Sequence, residues 1–382
     1  MRLRLWFLPQ LVACTAAAQQ PSVGPAHAPP NVSAAVREYM RAHGIPGLSL
    51  AVGYGGRVVL AQGFGSADLE HGILVTPATL FLIQSTQKLL TATAVLRLAE
   101  AGKLSLDDTV QTHCPAFGVR RWAVTLRQLL SHQGGIRSSD LRDLFNREHY
   151  ASTDAALRRF VAESLQAPPG SKVAYSNAGY TLLACAIEGA TAEPYDSALR
   201  HLVLQPAGLR ATRPDNVFEV IRGRSRYYIL RTDTNTEQWR GLWTDAHLTS
   251  TRLDEPANAD PVDPSWAIGA GNYLGTPSDL IRFALALMSG RLLQSRYRDS
   301  AFAPAPLTAT GEPTGRALGG WLLDTKDSLP QVLGSTWNGS FGLAVDPRTG
   351  LAVAVASNIE LDQPTELFDR IIKSWPAKGS PK

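Results

Sequence analysis

Two kinds of apolar spacing divide the chain into different regions. Segment 32–43 carries apolar residues at the three- and four-residue intervals of an amphipathic helix. Segments 48–53 and 57–63 then alternate as two strands, joined by a hairpin turn at Tyr54-Gly55-Gly56. The C-terminal part also has strand spacing, with strands predicted at 319–324, 331–337, 341–346 and 351–357, and it ends in a helix predicted at 364–375. Strand signals therefore concentrate at the two ends of the chain.

The middle of the chain is mainly helical. A strong helix is predicted at 86–101, with Ser85 at its N-terminal boundary, and further helices at 126–130, 155–165, 178–191, 195–203 and 277–288. Segments 254–264 and 303–313 are rich in turn residues and are predicted to be loops. This order predicts an α+β fold, with an antiparallel sheet built from both chain ends, flanking helices and a mainly helical inserted subdomain. The sheet part would take about residues 31–104 and 315–376, and the helical part about 105–300.

The first 18 residues have the pattern of a secretory leader. Arg2 and Arg4 precede a short apolar core, and Ala16-Ala17-Ala18 supplies small residues for cleavage. We therefore expect a signal peptide at 1–18, a Pro- and Ala-rich linker at 19–30, a folded domain at 31–376 and a tail at 377–382. The predicted location is periplasmic or secreted. The segment ending in Cys14 also resembles a lipobox, so Cys14 is the one point at which a membrane tether is considered.

Composition excludes several classes of function. The 382 residues are 44% apolar and 18% charged, which is ordinary for a globular protein. Removing Arg2 and Arg4 with the leader leaves 35 basic and 33 acidic residues, so no nucleic-acid partner is expected. The eight histidines lack metal-ligand spacing, and no metal or cofactor is expected. Cys114 and Cys185 could form one disulfide, but two unpaired thiols are the favoured prediction.

Ser85 and Lys88 are the first candidates for chemistry. Residues three apart lie on one helix face, so the lysine can take the proton of the serine hydroxyl if its apolar flanks lower its pKa. Backbone N–H groups at the helix start would favour a developing oxyanion. The alternative is a serine that caps the helix and a lysine that faces solvent.

Tyr175-Ser176-Asn177 lies on a loop just before the helix predicted at 178–191. Tyr175 would be a second proton carrier, and Asn177 would orient Lys88 or the substrate through its amide. The alternative is a buried tyrosine and an asparagine that caps the helix.

Trp337-Asn338-Gly339 ends a predicted strand beside Ser340. Strand backbone there would supply the second N–H of an oxyanion hole, and Gly339 would let a substrate approach closely. A glycine-containing hairpin turn explains the same residues without any chemistry.

Taken together, the order and spacing of these motifs resemble the serine β-lactamase and penicillin-recognising superfamily, and most closely its class C-like esterase and peptidase branch. The resemblance covers about residues 31–376. It also rests on the blocks Ala101 to Asp108, Thr125 to Ile136, Pro169 to Tyr180 and Gly269 to Phe283.

This resemblance implies a β-lactamase/transpeptidase-like fold and gives each motif residue a role. Ser85 would be the acylated nucleophile, Lys88 its base and Tyr175 the proton carrier. Asn177 would be a polar clamp, Ser85 and Ser340 the oxyanion donors, and His132 a structural residue.

One departure from the family pattern concerns the substrate. Penicillin-recognising members carry Lys-Thr-Gly, or a histidine variant, where this chain has Trp337-Asn338-Gly339. The resemblance therefore implies an exported serine hydrolase that cleaves small esters or amides without an obligatory carboxylate. A peptidase or weak β-lactamase, and an inactive ligand-binding homologue, stay open as alternatives.

Overall fold

The computed structural model describes residues 28–230, 255–323, 329–336, 339–361 and 364–375. The predicted signal peptide, Cys14, most of the predicted linker, the tail, and both Trp337 and Asn338 lie outside this part.

The described residues form strands near both chain ends and a run of helices in between. The strands are β1 (Gly47–Tyr54), β2 (Arg57–Asp68), β3 (Ile73–Leu74), β4 (Phe81–Leu82), β5 (Arg213–Pro214), β6 (Tyr228–Leu230), β7 (Pro256–Asn258), β8 (Tyr273–Gly275), β9 (Gln331–Thr336), β10 (Gly339–Asp346) and β11 (Leu351–Ser357). The helices are α1 (Pro30–Ala42), α2 (Gln87–Glu100), α3 (Val110–His113), α4 (Leu126–Leu130), α5 (Leu141–Leu144), α6 (Thr153–Leu157), α7 (Asn177–Thr191), α8 (Tyr195–Leu199), α9 (Gln205–Ala207), α10 (Pro277–Met288), α11 (Ser295–Phe302) and α12 (Pro364–Ser374).

One six-stranded antiparallel sheet joins the two ends of the chain. Its order is β3-β2-β1-β11-β10-β9, so the first long strand, β1, pairs directly with the last, β11. Seven of the eight residues of β1 are buried, because the sheet is covered on both faces. The predicted α+β class, with an antiparallel sheet built from both chain ends, is confirmed.

The two faces of the sheet have separate cores. Leu50 and Val355 point to the side covered by α1 and α12, where they pack with Val36 and Leu367. Ala51 and Ala354 point to the opposite side, which α10 and the helical part cover. This alternation is the two-residue period of a strand. The strand order makes β9 an edge strand, which lies against the turn before α2.

The prediction of two unpaired cysteines is wrong, because Cys114 and Cys185 form a disulfide across 71 residues. Cys114 follows α3 and Cys185 lies within α7, and these two helices pack together. Gly189 permits this approach: a Cβ there would lie 1.8 Å from the carbonyl oxygen of His113. Close packing of α3 on α7 therefore brings the two sulfur atoms within bonding distance.

Two predicted elements differ from the structure. The helix predicted at 155–165 spans only Thr153–Leu157 in its α-helical part. In the described part of segment 319–324 there is no strand but a turn with isolated bridges at Leu322, because Gly320 has a φ of +89° and Gly319 bonds back to the carbonyl of Ala301. Among the described helices, none has the length and apolar character required to cross a bilayer.

Candidate active site

Ser85 lies in a single 3-10 turn, Gln84–Thr86, between β4 and α2. Gln84 has a φ of +50°, which a non-glycine residue adopts only when its surroundings hold it. Its side chain donates a hydrogen bond of 2.8 Å to the carbonyl of Gly339, and Thr86 donates one of 3.1 Å to the carbonyl of Phe341. The turn is therefore fixed against β10, and it presents a partly exposed Ser85 hydroxyl.

Lys88 lies in the first turn of α2 and is 3% exposed. Its Nζ donates to Ser85 Oγ at 3.1 Å, to Asn177 Oδ1 at 2.6 Å and to the Ala270 carbonyl at 2.8 Å. Burial lowers the pKa of Lys88, an effect that Tyr175 opposes and Arg316 reinforces. The alternative of a solvent-facing lysine is excluded by this burial.

Tyr175 completes the contact with the serine. Its hydroxyl lies 2.5 Å from Ser85 Oγ, although the residue as a whole is 37% exposed. Burial of the hydroxyl raises the pKa of Tyr175, but Lys88, the bond to Ser85 and the charge of Arg316 together outweigh it and hold the pKa below its usual value. A tyrosine with a lowered pKa is suited to accept and return a proton.

Asn177 orients the lysine from the first turn of α7. The helix is capped by Ser176, whose hydroxyl accepts from the backbone N–H of Gly179, so Asn177 is free of the capping role. Its Nδ2 donates to Ser139 Oγ at 2.8 Å, which leaves Oδ1 for Lys88. Ser139 is a positioning residue that the sequence analysis missed.

His132 has the structural role that the resemblance implied. It is 4% exposed, has a φ of +58°, and its Nδ1 accepts from the backbone N–H of Ser176 at 3.1 Å. Its ring lies 4.6 Å from the ring of Tyr175. Burial lowers the pKa of His132 well below its usual value, with Arg316 and Lys88 adding to the effect. The imidazole therefore stays neutral and supports the loop that carries Tyr175.

The third motif is placed differently from the prediction. Trp337 and Asn338 lie outside the described residues. Gly339 and Ser340 begin β10, an interior strand, and Ser340 is 1% exposed and paired with Ser335 on one side and Ser357 on the other. A donor in such a position does not face Ser85, so Ser340 is not an oxyanion donor in this structure.

The strand that lies against Ser85 is β9. A Cβ added to Gly334 would lie 2.5 Å from the backbone nitrogen of Ser85, so only glycine allows this approach. Backbone at Gly334 and Ser335, rather than at Ser340, is where a second oxyanion donor can come from. Sequence reasoning missed this position because Leu333-Gly334-Ser335 lacks the usual lysine or histidine.

A small pocket of about 70 Å³ opens beside Ser85. Leu144, Val262 and Trp266 give it an apolar wall, and Asn177 and Gly271 line the side near the nucleophile. None of these three apolar residues belongs to a recognised sequence motif, so the pocket could not be predicted from the sequence.

Comparison with known proteins identifies the family of the chain. The family model described as Beta-lactamase matches residues 32–372. PbpX of Bacillus subtilis (strain 168), whose name describes it as a penicillin-binding protein, is 26% identical over 278 residues, which cover 72% of this chain and 63% of PbpX. Protein flp of Staphylococcus aureus (strain COL) is 24% identical over 341 residues, which cover 86% of this chain and 62% of flp. The chain thus spans about 62–63% of the length of these curated relatives.

Solved structures share the fold, and the predicted β-lactamase/transpeptidase-like arrangement is confirmed. EstCE1, described as a hydrolase with promiscuous acyltransferase activity, superposes with a TM-score of 0.73 at 21% identity over 89% of this chain and 97% of EstCE1. The D-amino acid amidase of Ochrobactrum anthropi SV3 gives a TM-score of 0.74 at 23% identity over 90% of this chain and 98% of the amidase. With the family model spanning nearly all of the folded residues, the chain belongs to the Beta-lactamase family.

Proposed function

We propose that this protein is an exported serine hydrolase that forms an acyl-enzyme on Ser85 and cleaves esters or amides without an obligatory carboxylate. The observation that carries the proposal is the contact of one hydroxyl with two proton-accepting groups. Ser85 Oγ lies 2.5 Å from the Tyr175 hydroxyl and 3.1 Å from Lys88 Nζ. A serine needs such a base to become nucleophilic.

In the acylation step, Ser85 Oγ bonds to the substrate's carbonyl carbon as its proton passes to the Lys88–Tyr175 pair. The bond between the carbonyl carbon and the leaving oxygen or nitrogen then breaks, and Tyr175 returns the proton to that leaving group. Water reverses the sequence, with its proton taken by Tyr175 and its oxygen bonded to the acyl carbon. Ser85 is released with its proton restored.

The negative charge on the substrate oxygen would be held by backbone donors. The N–H of Ser85 lies at the start of α2, and the edge of β9 at Gly334 and Ser335 lies against it. Each such donor is worth roughly 3 kcal/mol of barrier. Positioning by rigid backbone suits this task because it needs no rearrangement during the reaction.

Substrate choice is argued from what surrounds the serine. Strand β9, Gln331–Thr336, contains no lysine, arginine or histidine, so no cation on it is available for a substrate carboxylate. The pocket beside Ser85 is small and partly apolar, which suits a short acyl group or a small alcohol. Fold neighbours described as a hydrolase and an amidase are consistent with this reading.

Export is argued from two independent features. Residues 1–18 have the pattern of a secretory leader. The Cys114–Cys185 disulfide would persist in an oxidising compartment. The proposed location is therefore outside the cytosol.

Intact-mass measurement after treatment with a neutral fluorophosphonate ester tests the mechanism. One adduct should form on the wild type and on Ser295→Ala, which alters an exposed serine, and none on Ser85→Ala. An adduct that persists in Ser85→Ala would contradict the proposal by showing that another residue reacts. No adduct on the wild type would contradict it and favour an inactive homologue.

Substrate class is tested by comparing hydrolysis rates. p-Nitrophenyl acetate and butyrate should be cleaved faster than a chromogenic cephalosporin or a D-Ala-D-Ala peptide. Faster turnover of the cephalosporin or the peptide would show that the missing cation on β9 does not set the specificity, and would favour a β-lactamase or peptidase.

A further inference from the structure

Arg316 is a cation beside the active site that no motif indicated. It lies in the turn between α11 and β9, where its backbone carbonyl accepts from the N–H of Ala305 at 2.7 Å. Its guanidinium carbon is 5.2 Å from the centre of the Tyr175 ring, and the side chain is partly buried. The backbone is therefore fixed in a position that brings the charge over the phenol ring.

This guanidinium makes no ion pair with a described carboxylate. The groups that face Tyr175 are Ser85 from the 3-10 turn, Lys88 from α2, His132 from the loop after α4, and Arg316. Among the described residues, no carboxylate acts on Tyr175, Lys88 or His132. A second phenol, Tyr180, has its ring centre 5.5 Å from Lys88 Nζ, but burial raises its pKa, and Tyr175 is the phenol that contacts Ser85.

We infer that Arg316 is a positioning residue whose charge over the Tyr175 ring favours the phenolate form of Tyr175, the form that accepts the proton of Ser85. The inference rests on the proposed function, since it concerns the same proton transfer. In forming the phenolate, Tyr175 loses its proton to solvent, and the guanidinium charge over the ring stabilises the negative charge that remains. The positive charge of Arg316 therefore acts on Tyr175, and β9 has no cationic side chain of its own.

The sign of the effect follows from the charge. Arg316 lowers the pKa of both Tyr175 and Lys88. Without it, the pair holds its proton more tightly, and a higher pH is needed to free the base. The labelling rate must therefore begin to increase at a higher pH when Arg316 is removed.

The experiment measures the rate constant for Ser85 labelling by a neutral fluorophosphonate between pH 5 and 10. The acid limb is the pH range in which the labelling rate constant increases with pH. In Arg316→Gln we expect its midpoint to move to a pH higher by about 0.5–1 unit. Labelling should then be about three- to tenfold slower at pH values below the midpoint and within about twofold of wild type at pH values above it. Arg316→Lys keeps a cation and should recover most of the shift.

The matched control is Arg296→Gln. Arg296 also stacks on a tyrosine, with its guanidinium carbon 5.6 Å from the ring of Tyr297, but on the exposed surface of α11. Its profile should coincide with that of the wild type.

Two results would overturn the inference. An equal loss at every pH in Arg316→Gln, not recovered by Arg316→Lys, would mean a purely structural role. An unchanged limb with slower cleavage of anionic esters only would mean that Arg316 binds the substrate instead. Loss of the proposed function itself looks different, because labelling would then not depend on Ser85 at all.

Discussion

Replacing Gly334 with alanine should inactivate the site while leaving a folded protein. The new Cβ would lie 2.5 Å from the Ser85 nitrogen and 2.6 Å from the Gln84 Cβ, whereas 3.0 Å is the closest that real Cβ atoms come. Both neighbours belong to the turn that is held against β10, so neither can swing away. Strand β9 must move instead, by about 0.5–0.9 Å to reach even the tight contact of 3.0–3.4 Å that real Cβ atoms tolerate.

A shift of this size displaces the backbone donors from the position that the oxyanion will take. Misplacement by about 1 Å, or loss of one donor, costs on the order of 10²-fold in rate. We therefore expect labelling of Ser85 by a fluorophosphonate in Gly334→Ala to be about 100-fold slower than in the wild type. Overpacking should also cost about 1–3 kcal/mol of the free energy of unfolding, measured in urea.

Gly342→Ala is the matched control. Gly342 lies on the neighbouring strand β10, and its Cβ would meet the Phe368 ring at 2.7 Å, under α12 and away from Ser85. We expect a comparable loss of stability with labelling within about threefold of the wild type. If Gly334→Ala folds and labels as fast as Gly342→Ala, the close approach of β9 to Ser85 does not position the oxyanion donors.

Three further outcomes are expected. Asn177→Ala removes the 2.6 Å acceptor of Lys88 and should slow Ser85 labelling by about 10- to 100-fold, with unchanged labelling as the contrary result. Cys114→Ser with Cys185→Ser opens a loop of 71 residues and should lower the free energy of unfolding by about 2–4 kcal/mol, matching reduced wild type; equal stability would contradict this. Burial raises the pKa of Asp215 from 3.8 to about 6, so the folded state binds the extra proton and stability falls as pH rises through this window. In Asp215→Asn the free energy of unfolding, measured by urea melts, should fall less between pH 4.5 and 7.5 than in the wild type. An equal fall in both proteins would refute this prediction.

Much of the fold could be predicted because the apolar spacing is unambiguous where elements are long and buried on one side. Helices α4 and α10 and strand β11 match their predicted bounds. Prediction was wrong where tertiary contacts override local pattern. Segment 319–324 reads as a strand, but its glycines turn the chain back to Ala301.

The candidate site also contains residues that the sequence could predict and residues that it could not. Ser85, Lys88, Tyr175 and Asn177 are brought together, and each sits at a helix start whose position the sequence signals. Residues without a helix boundary or motif were missed, among them Ser139 and Arg316. Their role comes from distance in space, which spacing along one chain does not encode.

The bonds that hold the nucleophile turn also set a time order for the appearance of activity. Gln84 and Thr86 each bond to a carbonyl 255 residues further along the chain. At about 5–20 residues per second, a ribosome takes roughly 13–50 s to add that many residues. During this interval a growing chain carries the serine and the lysine, and later the tyrosine 90 residues on, without the strand that fixes the serine's turn. The protein is thus expected to be inactive during its own synthesis. Ser85 becomes positioned for reaction only when β10 packs against its turn.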